Sequence, residues 1–321
     1  MTTRLHWPAD RPLRSVFMGT PEFAVASLEA LAACSELVGV VSQPDKPRGR
    51  GLASVPSPVA ATTLARGVPL IRPATLRDPG VLATLEGWRP DVLVVAAYGR
   101  ILPQAMLALP TVAPINVHAS LLPRHRGAGP IAAALLAGDD RTGITIMLMA
   151  EGLDTGDVLL QQALDILPDD TTGTLTERLA VLGGVALTAA VRRLRDGGLV
   201  PAPQDPTAVT YASRLSKADG RIRWDEPAVL IERKVRAFTP WPSAFTIVDG
   251  RVLKVLRARV ASPEVPTAQP GTVVALGDAI RVATGEGVLD LLVVQAEGKR
   301  PLEARAFVAG ARLVPGTRFD A

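Results

Sequence analysis

Apolar runs alternating with helical stretches over the first 200 residues predict a doubly wound, mostly parallel α/β sheet. Arg14 to Met18 is a short apolar run ending at Gly19 and reads as a first buried strand. Pro21 opens a helix through about Ala33, because proline in a first turn lacks only an N–H that would go unused. Leu37 to Ser42 is a second strand. Gln43 to Pro58, rich in Pro, Gly and Arg, reads as a long loop. Asp91 to Ala97 is continuously apolar, as in a strand buried on both faces. Ile115–His118 and Gly143–Met149 read as further strands, and Pro130–Ala137 as a helix. Thr174 to Asp196 has helical periodicity and stops at Gly197-Gly198, a C-terminal cap.

Beyond Gly198 the texture changes. Val200 to Thr210 is rich in proline and polar residues and reads as a linker. Short alternating segments follow at Phe245–Val248, Val252–Val260, Thr272–Leu276, Ala279–Val282 and Val288–Val294, separated by turns. They predict a small OB-like antiparallel β-barrel. The expected organisation is an N-terminal extension over 1–13, read as mobile, and a catalytic domain over 14–198. A linker over 199–216 and a barrel over 217–321 complete it.

Composition narrows the classes. Hydrophobic residues make up 48% and charged residues 21%, an ordinary globular balance. There is no uninterrupted apolar run of bilayer length, and the first residues lack a signal-peptide core. A single cysteine, Cys34, and three histidines give no sign of a structural metal. The net charge of +4 is unevenly spread. Residues 1–216 carry 19 basic and 19 acidic side chains, whereas 217–321 carry 16 and 12. A basic last third suits a polyanionic partner, nucleic acid above all, although a merely basic surface fits equally well.

The turn after the first strand, Met18-Gly19-Thr20-Pro21, holds one glycine where a dinucleotide fingerprint needs three, and no phosphate-binding GxxxxGK[ST] occurs. Chemistry is concentrated instead at Ile115–Gly127 and Glu151–Asp157. Asn116 and His118 share a face if the segment is a strand. An amide donor beside an imidazole suits acyl transfer, where an oxyanion needs hydrogen bonds and a proton needs a holder. Asp154 could orient His118 and favour its charged form. Each of the three is also an ordinary structural residue when taken alone.

The strings Asn116–Pro123, Arg126-Gly127 and Leu153-Asp154-Thr155-Gly156, in that order, resemble the signature of folate-dependent formyltransferases. In that family the matching Asn, His and Asp are catalytic, which implies the trio Asn116, His118 and Asp154. The likeness runs from about residue 14 to Phe319, and within the family it is to members acting on methionyl initiator tRNA. Phe17–Phe23 resembles their opening turn, and Gln43–Pro47 with Gly49-Arg50-Gly51 their inserted tRNA loop. Leu215-Ser216-Lys217 and Arg236–Pro242 resemble the start of their barrel. The resemblance implies 10-formyltetrahydrofolate as donor and initiator methionyl-tRNA as partner; composition adds the expectation of no metal, no membrane and, by default, a cytoplasmic location, and a monomer is expected. Folate contacts fall on Tyr98, Ile101 and Leu102 and on the Ser120, Leu121, Leu122 and Pro123 turn. Lys46, Arg48 and Arg50 are the candidates for tRNA. Ala119, His125 and Thr239 depart from the usual Gly, aromatic residue and Asn. The trio is shared with formyltransferases acting on sugar nucleotides and other small amines, so it does not by itself choose the acceptor.

Overall fold

The structure, a computed structural model, describes residues 4–7, 10–48, 53–262, 267–311 and 313–320. It forms two compact units. The first comprises Met1–Pro130, Arg141–Asp165 and Thr176–Ala212; the second comprises Ile131–Asp140, Ile166–Leu175 and Ser213–Ala321.

The first unit is built on a seven-stranded sheet. Its strands are β1 (Arg14–Gly19), β2 (Glu36–Val41), β5 (Leu70–Ile71), β6 (Val92–Ala96), β7 (Ala113–His118), β9 (Arg141–Leu148) and β10 (Val158–Asp165). Their order is β10-β9-β7-β6-β1-β2-β5. Five neighbours from β7 to β5 are parallel, and β9 and β10 close one edge antiparallel. The parallel strands read as unbroken apolar runs because both faces are covered, and β6 is buried throughout. The helices are α1 (Val25–Cys34), α2 (Pro58–Ala65), α3 (Pro79–Trp88) and the short α4 (Gln104–Leu107), with α5 (Pro130–Ala137) and α6 (Thr172–Arg195) divided between the two units. Ser57 and Asp78 cap α2 and α3, each followed by proline at the first helical position. α6 is by length and composition apolar enough to cross a bilayer, yet its glycines seat it on α1: a Cβ at Gly184 would lie 2.9 Å from the Ala26 carbonyl.

Two stretches differ from expectation. The 43–58 loop contains a small antiparallel ribbon, β3 (Lys46–Arg48) with β4 (Ala53–Val55). Its ends are joined by a 2.6 Å hydrogen bond between the Ser42 and Ser57 hydroxyls. The described residues of the N-terminal extension, expected to be mobile, are tied down instead. Leu5 bridges Leu199, Trp7 and Leu13 are buried, and Arg11 makes a bidentate 2.6 Å pair with Asp91. No periodicity announces this, because the anchoring comes from single residues far apart in sequence.

The short β8 (Arg126–Gly127) pairs in parallel with β11 (Tyr211–Ala212), so the linker returns to the first unit. The second unit carries α7 (Ala228–Ala237), β12 (Ala244–Val248), β13 (Arg251–Ser262), β14 (Val273–Leu276), β15 (Ile280–Ala283), β16 (Val288–Ala296), β17 (Leu302–Glu303) and α8 (Ala304–Gly310). All sheet pairings there are antiparallel, in the order β12-β13-β16-β15-β14 with β17 on β16. The C-terminal segment bridges both edges, Asp320 to Ile247 and Arg318 to Thr272, which curls the sheet toward a barrel. Trp224, Ile231, Val235, Leu253, Leu291 and Phe319 lie in its core.

Candidate active site

The site lies where β6 and β7 end. Asn116 pairs with Val95 across the parallel ladder, and His118 closes β7. Side chains alternate along a strand, so Asn116 and His118 project from the same face. Ligands of open α/β sheets gather past such carboxyl ends, where loops rather than strands set the chemistry.

Asp154 arrives by a longer route. β9 runs antiparallel to β7, pairing Leu148 with Ile115 and Thr145 with His118, so the chain leaves β9 beside the amino half of β7. Residues 149–157 must therefore turn back to reach His118. Gly156 permits the turn, since a Cβ there would stand 1.9 Å from the Leu148 carbonyl. Asp154 itself is held at φ +50°, a conformation that favours glycine. Its Oδ2 accepts the Gly127 N–H at 2.8 Å and lies 3.5 Å from His118 Nδ1. Its Oδ1 stands at 3.5 Å from Asn116 Nδ2, a long bond that leaves the amide free to turn to a better acceptor.

His118 is buried, and burial pushes its imidazole below the ordinary histidine range. Asp154 and the His125 carbonyl both pull the other way without making up the loss. Burial thus favours the neutral ring, against the pull of the adjacent carboxylate toward the charged form. The His125 carbonyl lies 3.1 Å from Nε2, and the tautomer that satisfies it carries its proton there. Nδ1 then presents a lone pair toward Asp154. A proton delivered to Nδ1 would find a carboxylate waiting, so the arrangement can accept a proton and hold the resulting cation.

The other expected residues are placed as follows. Ser120 and Leu122 are buried in a turn sewn to β9: Thr145 Oγ1 donates to the Ser120 carbonyl and accepts from Leu122 N. Leu121 and Pro123 are half-buried. Tyr98 and Leu102 belong to the core beneath β1 and β6, with the Tyr98 hydroxyl buried and lacking a hydrogen-bond partner among the described residues. Ile101 is the reverse, 90% exposed. The Tyr98 carbonyl accepts from Gln43 Nε2 at 2.6 Å and from Thr20 Oγ1 at 3.3 Å, joining the loops after β1, β2 and β6. Lys46 and Arg48 lie on β3, whereas Arg50 falls outside the described residues. The base of that ribbon is fixed by an Asp45–Arg72 ion pair.

Sequence reasoning missed three contributors: Gln204, Thr210 and Thr145. Thr210 Oγ1 accepts from His125 N at 2.8 Å. Gln204, in the segment read as a mere linker, bonds both Arg126 and the Asp154 loop. No local pattern could have found them, since a polar residue among the prolines of a linker, or a threonine within the strand β9, looks like any other. Ala119 is buried at negative φ, so its methyl needs no special turn.

A family model described as formyl transferase matches residues 13–191, and one described as formyl transferase, C-terminal domain, matches residues 214–312. Over 310 residues the chain is 49% identical to a methionyl-tRNA formyltransferase of Myxococcus xanthus, covering 96% of this chain and 98% of that one. It is 47% identical to a methionyl-tRNA formyltransferase of Roseiflexus sp., covering 96% and 95%. Among solved structures, an N-formyltransferase from Helicobacter canadensis in complex with folinic acid and dTDP-3-aminofucose superposes with a TM-score of 0.66 at 16% identity, covering 88% and 99%. HypX from Aquifex aeolicus in complex with tetrahydrofolic acid gives 0.61 at 17% identity, covering 94% of this chain and 47% of that one. At such identities these two likenesses are of fold.

Proposed function

We infer that this chain, which belongs to the formyl transferase family, carries a formyl group from 10-formyltetrahydrofolate to the free amine of methionyl initiator tRNA. The product would be N-formylmethionyl-tRNA for translation initiation, made by a monomer in the cytoplasm. The observation that carries the reading is Asp154 within 3.5 Å of both His118 and Asn116 at the end of β7. The choice of tRNA over a sugar nucleotide or other small amine is supported by relatives matched along nearly their whole length, and by a basic last third.

The residues fit a folate. Ile101 and Leu153, 90% and 59% exposed, leave apolar surface uncovered on the loop after β6 and beside Asp154, where a ring could lie. The Ser120–Pro123 turn would bound the same ligand. When bound, the carrier supplies an activated formyl carbon attached to a nitrogen that can leave.

The side chains then divide the work. Asn116 Nδ2 swings from its long bond with Asp154 to meet negative charge growing on the formyl oxygen as the amine adds. His118 Nδ1 takes the proton shed by the amine, and Asp154 and the His125 carbonyl hold the imidazolium. That cation adds to the stabilisation of the oxygen. His118 then returns the proton to the departing folate nitrogen as its bond to the formyl carbon breaks. One N–C bond forms, one breaks, and one proton moves from amine to amine. Losing one oxyanion donor of this kind typically costs about 2.7–4 kcal/mol.

A single-turnover assay with 10-formyltetrahydrofolate and charged initiator methionyl-tRNA tests the reading. Formylmethionyl-tRNA from the wild type, and a hundredfold or greater loss in Asn116→Ala and His118→Ala, is the expected result. Formylation of a small amine with tRNA left untouched would move the acceptor to the sugar-type branch.

A further inference from the structure

Gln204 sits in the prolyl segment between the two matched family regions, far in sequence from the trio. Its side chain nonetheless ends at the Asp154 loop. Gln204 Nε2 donates to the Asp154 carbonyl at 2.8 Å and to the Gly156 carbonyl at 2.7 Å. Gln204 Oε1 accepts from Arg126 Nε at 3.0 Å and from its terminal nitrogen at 2.7 Å. All four hydrogen-bonding positions of the carboxamide are in use.

The partners explain what this accomplishes. Arg126 is buried, and it immediately precedes Gly127, whose N–H donates to the Asp154 carboxylate. Gln204 thus grips the backbone of Asp154 on one side and the neighbour of its side-chain partner on the other. The segment bearing Gln204 is itself fixed, because Ala202 and Val158 exchange backbone hydrogen bonds at 2.8 and 2.9 Å. A non-glycine residue at φ +50° persists only where its surroundings over-determine it. The loop must also turn back from the antiparallel exit of β9, and these hydrogen bonds hold it there together with those from Gly127 N–H to the Asp154 carboxylate and from Leu148 N–H to the Asp157 carbonyl.

We propose that Gln204 is a positioning residue for the transfer reaction: it clamps the Asp154 loop so that the carboxylate faces His118. The proposal rests on the assignment of His118 and Asp154 to the site. A carboxamide is required rather than a carboxylate, since two of its four bonds run to carbonyl oxygens. Gln204→Glu keeps an acceptor for Arg126 but sets oxygen against the Asp154 and Gly156 carbonyls. Gln204→Ala removes every bond.

The test uses the full chain and two readouts. Steady-state kinetics with 10-formyltetrahydrofolate and methionyl-tRNA should show kcat lowered by on the order of tenfold to a hundredfold in both variants, with KM for each substrate unchanged. Histidine NMR should show the His118 titration moved to lower pH, because Asp154, the group that raises it, has drifted away. The ionisable groups facing that ring are Asp154 and His125, and both remain in the variants; the titration is read in Gln204→Ala, which adds no charge. Wild-type kcat in Gln204→Glu overturns the inference, as does a drop in thermal stability with kcat and the His118 titration unmoved. If the wild type does not formylate methionyl-tRNA, the functional reading fails separately; the NMR titration still decides whether Gln204 positions Asp154.

Discussion

The Asp154 carboxylate stands 3.5 Å from Nδ1 of His118 although β9, the strand leading to Asp154, runs opposite to β7. The pair is assembled by a loop that doubles back, so its geometry depends on what holds that loop. The carboxylate, with the His125 carbonyl, also opposes the burial that lowers the His118 titration.

Replacing Asp154 by Asn keeps the size and removes the charge. On the proposed mechanism the imidazolium then has only a carbonyl to hold it, and single-turnover formylation falls on the order of a hundredfold or more. The wild-type rate should rise with pH through a His118 midpoint below about 6.5, because the neutral ring is the active form. In Asp154→Asn that limb moves to still lower pH. A rate and limb like those of the wild type would remove Asp154 from the mechanism.

Gly127 carries φ +120°, and a Cβ there would lie 2.5 Å from the Ala212 carbonyl. Gly127→Ala should cost about 1–3 kcal/mol in urea unfolding. It should also lower turnover more than it weakens folate or tRNA binding, because the N–H it displaces is the one that fixes Asp154. Equal stability in the two proteins would show that β8 and β11 separate without cost.

Acid should unfold the protein through two buried carboxylates. Burial alone would raise Asp91 and Asp290, but their partners more than offset it. Asp91 is held low by Arg11, Arg14 N–H and Thr111, and Asp290 by Arg281 and Arg259. In each case the unfolded chain takes up the proton first as pH falls. The stabilisation is therefore complete above the ordinary carboxylate range, about 3.9, and is lost as pH falls toward the folded value. His118, lowered while buried, contributes with the same sign at higher pH: the unfolded imidazole protonates first below about 6.5. Unfolding free energies across this range should slope downward toward acid, and Asp91→Asn or Asp290→Asn should flatten the steepest part. A slope unchanged by either substitution would place the acid sensitivity elsewhere.

Arg48 and Arg50 belong to the stretch assigned to the tRNA acceptor end. Each Ala substitution that frees one phosphate should reduce the slope of log affinity against log salt by about 0.7–0.9. Titration of initiator tRNA at several salt concentrations measures this. Identical affinities and slopes in the single variants would take Arg48 and Arg50 out of the interface.

Much of the fold follows from local pattern. The runs at Arg14–Met18 and Asp91–Ala97 read as buried strands from their length and β-branched content, and the segments after Tyr211 alternate as half-covered strands do. α7 is absent from that reading although Ala228, Ile231 and Val235 recur at helical spacing among charged residues, and α8, confined to Ala304–Gly310, is too short for its period to show.

The sequence by itself determined that Asn116 and His118 share a face, because the two-residue spacing on a strand allows nothing else. It also placed glycines on both sides of Asp154, which permit a tight turn and a close backbone approach. Only the tertiary structure decided how Asp154 meets His118, because that depends on the antiparallel pairing of β9 and on Gln204 from a distant segment. It likewise decided the direction in which the His118 titration moves, for burial outweighs a neighbouring carboxylate, and burial is a property of everything packed around the ring.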